Sequence, residues 1–244
     1  MKKVHVILLF LAIAGNTAFA QTDKGSNFKG GLKINPSFMW LKTEAENDGG
    51  TIENNGVKLG FSYGVFGDYY FAENYGISTE LRVAHLGAEY TYKLRPDIYD
   101  SVIPPTGITS INRNLKLQYI EIPVSLKMRT NEIGYMRYYG QFGFVPAINI
   151  KAKADDVYTT YSAGNVEEND KKVGKEVVPV AMSLLIGAGM EYNFGGSTSL
   201  LAGITFHNGF TNLINRKDDD IATKTFRNFS AKPAYIALNL GVIF

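Results

Sequence analysis

The 244-residue sequence has no cysteine. Disulfides, thiol catalysis, cysteine-based metal sites and a lipid anchor on an N-terminal cysteine are therefore all excluded. Charge of neither sign dominates: 25 Lys and Arg face 23 Asp and Glu, a formal net charge of +2. With no basic run either, nothing points to nucleic acid as a partner. Past the first twenty residues there is no run of about 18 apolar residues, so no transmembrane helix is expected. Tryptophan occurs once and histidine three times, against 15 Tyr, 15 Phe and 25 Gly. Aromatic and glycine enrichment at near-neutral charge fits a barrel with interfacial aromatic girdles and crowded strand walls.

The N-terminus reads as a secretory signal at 1–20. Lys2 and Lys3 form a positive n-region, Val4 to Ala14 an apolar run, and Ala18-Phe19-Ala20 a small-x-small cleavage site. As a membrane anchor the apolar run is too short. The barrel domain is accordingly expected over 21–244, starting at Gln21.

What fills that domain is alternation. In Val57 to Phe71, every odd position except Gly67 is apolar or aromatic, and most even positions are polar or Gly. Ordinary strands run to about five or six residues; this length suits strands that cross a membrane, where about 9–11 residues span. Eight such segments are read: Phe28–Lys42, Val57–Ala72, Tyr75–Tyr92, Leu115–Arg129, Tyr135–Lys153, Val177–Asn193, Thr198–Phe210 and Pro233–Phe244. Pro36 lacks a ladder donor and is expected to mark a bulge or kink. In the fourth segment the apolar face changes phase near Tyr119–Ile120, which predicts one bulge there.

The connections alternate in length. Those after segments one, three, five and seven are polar and long, roughly 14 to 23 residues, and the others are tight turns. An outer-membrane barrel has long loops outside and short turns in the periplasm. The expected fold is thus all-β: an eight-stranded antiparallel transmembrane β-barrel with short periplasmic turns and four long extracellular loops, in the cell outer membrane. A soluble lipocalin-like barrel has the reverse polarity. The polar faces here mix signs, with Lys33, Lys58, Arg82, Lys127, Arg129 and Arg137 against Asp68, Glu80, Glu121 and Glu191, a set able to pair internally. The opposite faces are almost uncharged, which favours lipid outside.

The segment Leu117-Gln118-Tyr119-Ile120-Glu121-Ile122-Pro123-Val124-Ser125-Leu126-Lys127 resembles the tyrosine-aliphatic-glutamate-aliphatic-proline strand of the PorT-like outer-membrane β-barrel family. Gly31-Leu32-Lys33-Ile34-Asn35-Pro36-Ser37 looks like that family's opening strand, and Leu240-Gly241-Val242-Ile243-Phe244 is similar to its closing one, although an aromatic often stands where Val242 is. The resemblance spans 21–244. It implies the barrel fold, and the family's namesake takes part in a protein-secretion and gliding-associated pathway, a role that fold membership does not itself carry over.

The polar set Glu80, Arg82, Glu121, Lys127, Arg129, Arg137 and Glu191 is expected to be a lumenal charge network. At eight strands the interior is about filled by side chains, and buried charges must be paired, so a plug is favoured over a lined pore. Pro123 is read as a curvature-adjusting irregularity rather than a lateral lipid gate. His85 and His207 are expected near the extracellular strand ends, without catalytic or metal-ligand spacing. Asp155-Asp156 and Asp218-Asp219-Asp220 read as solvated loop charges. Tyr69, Tyr70, Tyr75, Tyr135, Tyr138, Tyr139 and Tyr192 are assigned to a periplasmic girdle. No catalytic, cofactor-binding or metal-ligating residue is expected. Three functions remain open: a structural or interaction barrel with outer-membrane lipid around it and a protein partner at its turns or loops, a narrow pore for ions or small solutes, and a lipid-modifying barrel enzyme.

Overall fold

The strictly alternating segments bury one side chain in two, and backbone polar groups in lipid must all be satisfied within the protein, which requires a closed sheet. The computed structural model of the protein describes residues 27–45, 50–94, 108–160, 164–196, 198–215 and 229–244. The signal at 1–20, the start at Gln21 and Asp218-Asp219-Asp220 lie outside the described residues. One antiparallel sheet contains β1 (Phe28–Ala45), β2 (Gly50–Asn54), β3 (Lys58–Ala72), β4 (Tyr75–Leu94), β5 (Ile108–Glu121), β6 (Val124–Arg129), β7 (Met136–Thr160), β8 (Gly164–Lys172), β9 (Val180–Asn193), β10 (Ser199–Gly209) and β11 (Phe229–Ile243). β1 pairs with β3 on one side and with β11 on the other, from Gly31↔Ile243 to Ala45↔Phe229. The ring closes with no exposed edge around its membrane section.

Eleven strands make eight staves. β5 and β6 share one stave: β4 meets both in the same register, Arg82↔Glu121 and Thr79↔Val124. Pro123 interrupts this stave without shifting it, and its carbonyl accepts a bond from the Glu80 amide at 3.1 Å. β2 continues the β3 stave upward along β4, and β8 precedes β9 along β7. Two stretches expected to be loops, 43–56 and 154–176, therefore hold the upper end of β1, β2, the end of β7 and β8. Likewise β4 reaches Leu94 and β5 begins at Ile108. Tight turns close the opposite, periplasmic end, where the Phe244 amide bonds the Gly30 carbonyl.

Two expected irregularities resolve differently. Pro36 makes no bulge. The register is unchanged on either side of it, Ile34↔Leu240 and Ser37↔Ala237, so the missing N–H removes rungs against β11 only. Near Tyr119 a bulge exists, but its extra residue is Ile150 on β7, opposite the Gln118–Tyr119 step. The β5–β6 stave itself never changes phase: Leu115, Leu117, Tyr119 and Glu121 of β5 and Ser125 of β6 all point inward. What changes is the chemistry of each side.

Below that level the wall is apolar outside and polar inside. Leu81, Val124, Leu126, Phe142 and Phe144 face lipid, while Asp68, Glu80, Arg82, Lys127 and Glu191 are buried within. Above it the order inverts. The outer positions of β4, β5 and β7 become His85, Glu89, Gln118, Lys116, Lys151 and Lys153, and the interior becomes an apolar core that includes Leu86, Tyr90, Tyr92, Ile111, Leu115 and Leu213. On the β3 stave the exposed positions stay apolar at and above the His85 row, with Phe61, Leu59 and Val57, but along β4, β5 and β7 the change falls between the rows Val83–Ile120 and His85–Gln118–Lys151. It marks the place where the barrel leaves the hydrocarbon and continues as a water-soluble cap. At the periplasmic end Tyr69, Tyr75, Tyr135, Tyr138 and Tyr192 stand outward as a girdle, joined by Phe28, Phe71 and Phe194. Tyr70 and Tyr139 do not belong to it, because one-residue alternation turns both into the lumen, where they are buried.

Candidate functional site

The lumen of the membrane section is crossed by two sets of charged struts. In the upper set, Arg82 on β4 donates from Nε to Glu121 on β5 at 2.6 Å and from Nη2 to the Tyr235 hydroxyl on β11 at 3.0 Å. The Tyr235 hydroxyl donates in turn to Glu121 at 3.3 Å. Glu80 lies 3.8 Å from Arg82 and accepts from Lys33 on β1 at 3.4 Å and from Asn35 at 3.4 Å. In the lower set, Lys127 on β6 reaches Asp68 on β3 at 2.6 Å and Glu191 on β9 at 2.5 Å. Arg82 and Glu121 are a directly opposed pair on neighbouring strands, whereas Lys33–Glu80, Arg82–Tyr235, Lys127–Asp68 and Lys127–Glu191 join staves that are not neighbours and reach across the bore. Aromatic rings fill the remaining width: Lys127 Nζ lies 4.5 Å from the Tyr139 ring centre and Lys33 Nζ 4.1 Å from that of Phe66. Tyr139 needs two glycines opposite it, since a Cβ on Gly189 or Gly203 would stand 2.5 Å from its hydroxyl.

Of the residues singled out in the sequence, Glu80, Arg82 and Glu121 meet in the upper set, and Lys127 and Glu191 in the lower. Arg129 and Arg137 join neither. Arg129 lies flat on the Tyr70 ring, its carbon 3.5 Å from the ring centre, and donates to the Glu73 carbonyl at the periplasmic turn. Arg137 pairs with Glu132 at 2.7 Å, at the same rim. Arg129 stands eight residues below Glu121 on the same stave, and Arg137 stands opposite Glu191 near the start of β7, both too far down to reach Glu121. Tyr235 escaped sequence reading, although its place on the polar face of the last strand was open to parity. His85 is exposed and stacks on Tyr63, its ring centre 6.2 Å away. His207 is not interfacial: it is wholly buried, stacked on Tyr235 at 4.1 Å and 3.3 Å from Thr205 Oγ1.

A second charged group closes the cap. Arg113 on β5, 2% exposed, forks onto Asp156 of β7 with two bonds of 2.7 Å and reaches Glu176 at 2.5 Å. Burial opposes the charge on Arg113, but the bonds to Asp156, with Tyr90 and Glu176, override it and hold the guanidinium pKa above its ordinary value. The neighbouring pair Asp155-Asp156 is thus split by strand alternation. Asp156 turns inward to Arg113, and Asp155 turns outward to Lys116 at 2.6 Å. Lys116 first, and then the Asp170 backbone amide, hold the Asp155 carboxyl below its usual range. Neither aspartate is a free loop charge. Among the described residues no cluster of His, Asp and Glu is arranged to hold a metal ion.

Little space is left between the struts. A polar cavity beside Lys33, Glu80, Arg82 and Asn239 measures ≈ 10 Å³, the lower limit for one water. A more apolar one beneath the cap, between Tyr119, Leu213 and Tyr235, measures ≈ 30 Å³.

Comparison with known proteins places this geometry in a family. The model of the outer membrane protein beta-barrel domain family matches residues 19–215. The chain belongs to that family: it is a small β-barrel of the cell outer membrane, surrounded by lipid. No curated protein matches the sequence at a significant level. Among solved structures, Ail of Yersinia pestis is 14% identical, with 89% of this chain and 99% of that chain covered and a TM-score of 0.36. Outer membrane protein OprG of Pseudomonas aeruginosa is 10% identical, covering 90% and 98%, at 0.39. A major outer membrane protein of Thermus thermophilus is 11% identical, covering 87% and 98%, at 0.42. Scores this low carry no argument about what the chain does.

Proposed function

We propose that this is a closed, non-enzymatic barrel that acts as a structural and interaction platform, with the lumenal charges serving as a plug and the extracellular cap presenting the recognition surface. The observation that carries this reading is the double obstruction of the bore. Ion pairs of Lys33 with Glu80 and of Lys127 with Asp68 and Glu191 cross the membrane section, and an apolar core sealed by Arg113, Asp156 and Glu176 fills the section above it. An ion entering would have to displace both. The cap has the stability of a soluble core behind it, which suits a surface that holds a fixed shape for a partner.

The PorT-like strand acquires a physical meaning in this reading. Tyr119 packs into the base of the apolar cap, Glu121 binds Arg82, and Pro123 breaks the stave between β5 and β6. That motif sits where cap and plug join. Its resemblance to a secretion-linked family allows a protein partner without assigning one. The test is conductance of the purified protein in planar bilayers, together with cross-linking in intact cells from residues placed at Thr91 and Asn112 on the cap. A silent bilayer and a discrete cross-linked protein support the platform. Steady single-channel steps that change on Glu121→Gln substitution would instead assign a narrow pore.

A further inference from the structure

On the outer face of the cap, just above the apolar wall, lysines line up across neighbouring strands. Lys116 of β5 stands directly opposite Lys153 of β7, and Lys153 directly opposite Lys172 of β8. One rung lower, Lys151 faces Gln118. Like charges placed opposite one another across strands repel and destabilise the pair, so a row of three needs compensation. Part of it is internal: Asp155 binds Lys116 at 2.6 Å, and Asp170 binds Lys153 at 2.7 Å. Four lysines against two aspartates leave two positive charges in excess on this patch.

The height of the row says what could supply the rest. Ile120 is the last apolar outward position on β5. Lys116 lies four residues above it, about 10 Å along the membrane normal for a tilted strand, and Lys151 about half that. That is the headgroup layer of the outer leaflet, and lysine stems can lie along the wall while their ammonium groups reach phosphates at this depth. We propose that this lysine row, Lys116, Lys151, Lys153 and Lys172, is a docking surface for the phosphate groups of outer-leaflet lipid. It fixes the depth and rotation of the barrel on its β5–β7–β8 side. On the opposite side the outward positions of β10 at its upper end are Ile204, Phe206 and Asn208, and the cations nearest them are the pair Lys42 and Lys232 on β1 and β11, with Lys42 bound to Asn208.

The experiment titrates the full-length protein, purified in neutral detergent, with bisphosphorylated lipid A and with the same lipid enzymatically stripped of phosphate, counting bound lipid by native mass spectrometry. The wild type should prefer the phosphorylated lipid by roughly tenfold or more, as expected for several lysines near an anionic surface. The variant with all four lysines changed to Gln should lose that preference, and the all-Arg variant should keep it. A Lys151→Gln/Lys172→Gln double variant, which leaves both aspartate pairs intact, should lose part of it even if the fourfold Gln variant fails to fold. Equal binding of both lipids by the wild type, or an unchanged preference in the Lys151→Gln/Lys172→Gln variant, overturns the proposal. So does full competition by millimolar inorganic phosphate, which would make this a site for free phosphate.

Discussion

The buried cross-strand pair Arg82–Glu121, which anchors Tyr235 from across the bore, gives the sharpest test of the lumenal network. Both side chains are almost wholly buried, and the guanidinium also meets Tyr235 at 3.0 Å and Glu80 at 3.8 Å. Removing one partner of such a pair leaves an uncompensated buried charge, which costs about 3–5 kcal/mol. Glu121→Gln keeps an acceptor for the short bond and should fall at the lower end. Glu121→Leu removes it and should fall at the upper end. Changing both, as Arg82→Met with Glu121→Leu, removes the charge problem and strands only the Tyr235 hydroxyl, a loss of about 1–3 kcal/mol. Adding Tyr235→Phe should recover most of that. The double variant should therefore be more stable than Glu121→Leu alone, with a coupling of a few kcal/mol. Equilibrium urea unfolding from lipid vesicles measures it. The single tryptophan, Trp40, sits on the wall stacked against Phe206 and reports withdrawal from lipid. If the double variant costs the sum of the two single ones to within about 0.5 kcal/mol, the two residues are not a coupled buried pair and the lumenal network is wrongly drawn.

Substituting outward positions on one stave tests where the lipid ends. Val124→Arg should cost about 2–4 kcal/mol near the bilayer midplane, and Gln118→Arg nearly nothing; equal costs in the same urea assay would mean that the wall does not change solvent between them. Gly143→Ala places a Cβ 2.1 Å from the Val124 carbonyl oxygen, a backbone atom that cannot yield without opening the β6–β7 ladder. Refolding yield into vesicles should drop severely, and a normal yield would contradict the register. Asp155 and Asp170 both titrate below their ordinary value of 3.8, held there by Lys116 and Lys153. A carboxyl lowered on folding stabilises above its unfolded pKa and loses that contribution as pH falls through the folded one. The β7–β8 hairpin should therefore resist added protease equally at pH 7 and pH 5 and loosen only below about pH 3.8; loosening between 7 and 5 would show that these pairs do not hold it.

The membrane section was legible because its two solvents differ so sharply. Alternation located all eight staves, and the parity of long and short connections oriented them, since both follow from one residue in two facing lipid. The cap was not legible for the same reason. In water its outward residues are mixed, such as Asn112, Asn114 and Asp155, so Ile108–Asn114 and Asp155–Thr160 read as polar connections although their inward partners Ile111 and Arg113 kept strict parity with Leu115 and Leu117. Cross-lumen pairing was not legible either. Polar-face charges could be assembled from parity, but which of them meet depends on how far each stave is staggered around the ring. Stagger brings Lys127 to Asp68 and Glu191 and leaves Arg129 and Arg137 at the rim.

The phase change at Tyr119–Ile120 ties these points together. Alternation alone says that a face has become apolar; it does not say whether the strand has turned or the surroundings have. A bulge in β5 would shift its register against β4, and that register is constant from Arg82↔Glu121 to Lys93↔Ser110. The surroundings have therefore turned. Tyr119 and Glu121 are successive inward residues of one strand, one in the apolar base of the cap and the other in the charged plug, and Lys116 and Ile120 stand on the same outer face above and within the hydrocarbon. A barrel that was only a spanning device would have no need to continue past that level with a second core. Under the proposed function, that second core is what supports the recognition surface on the cap.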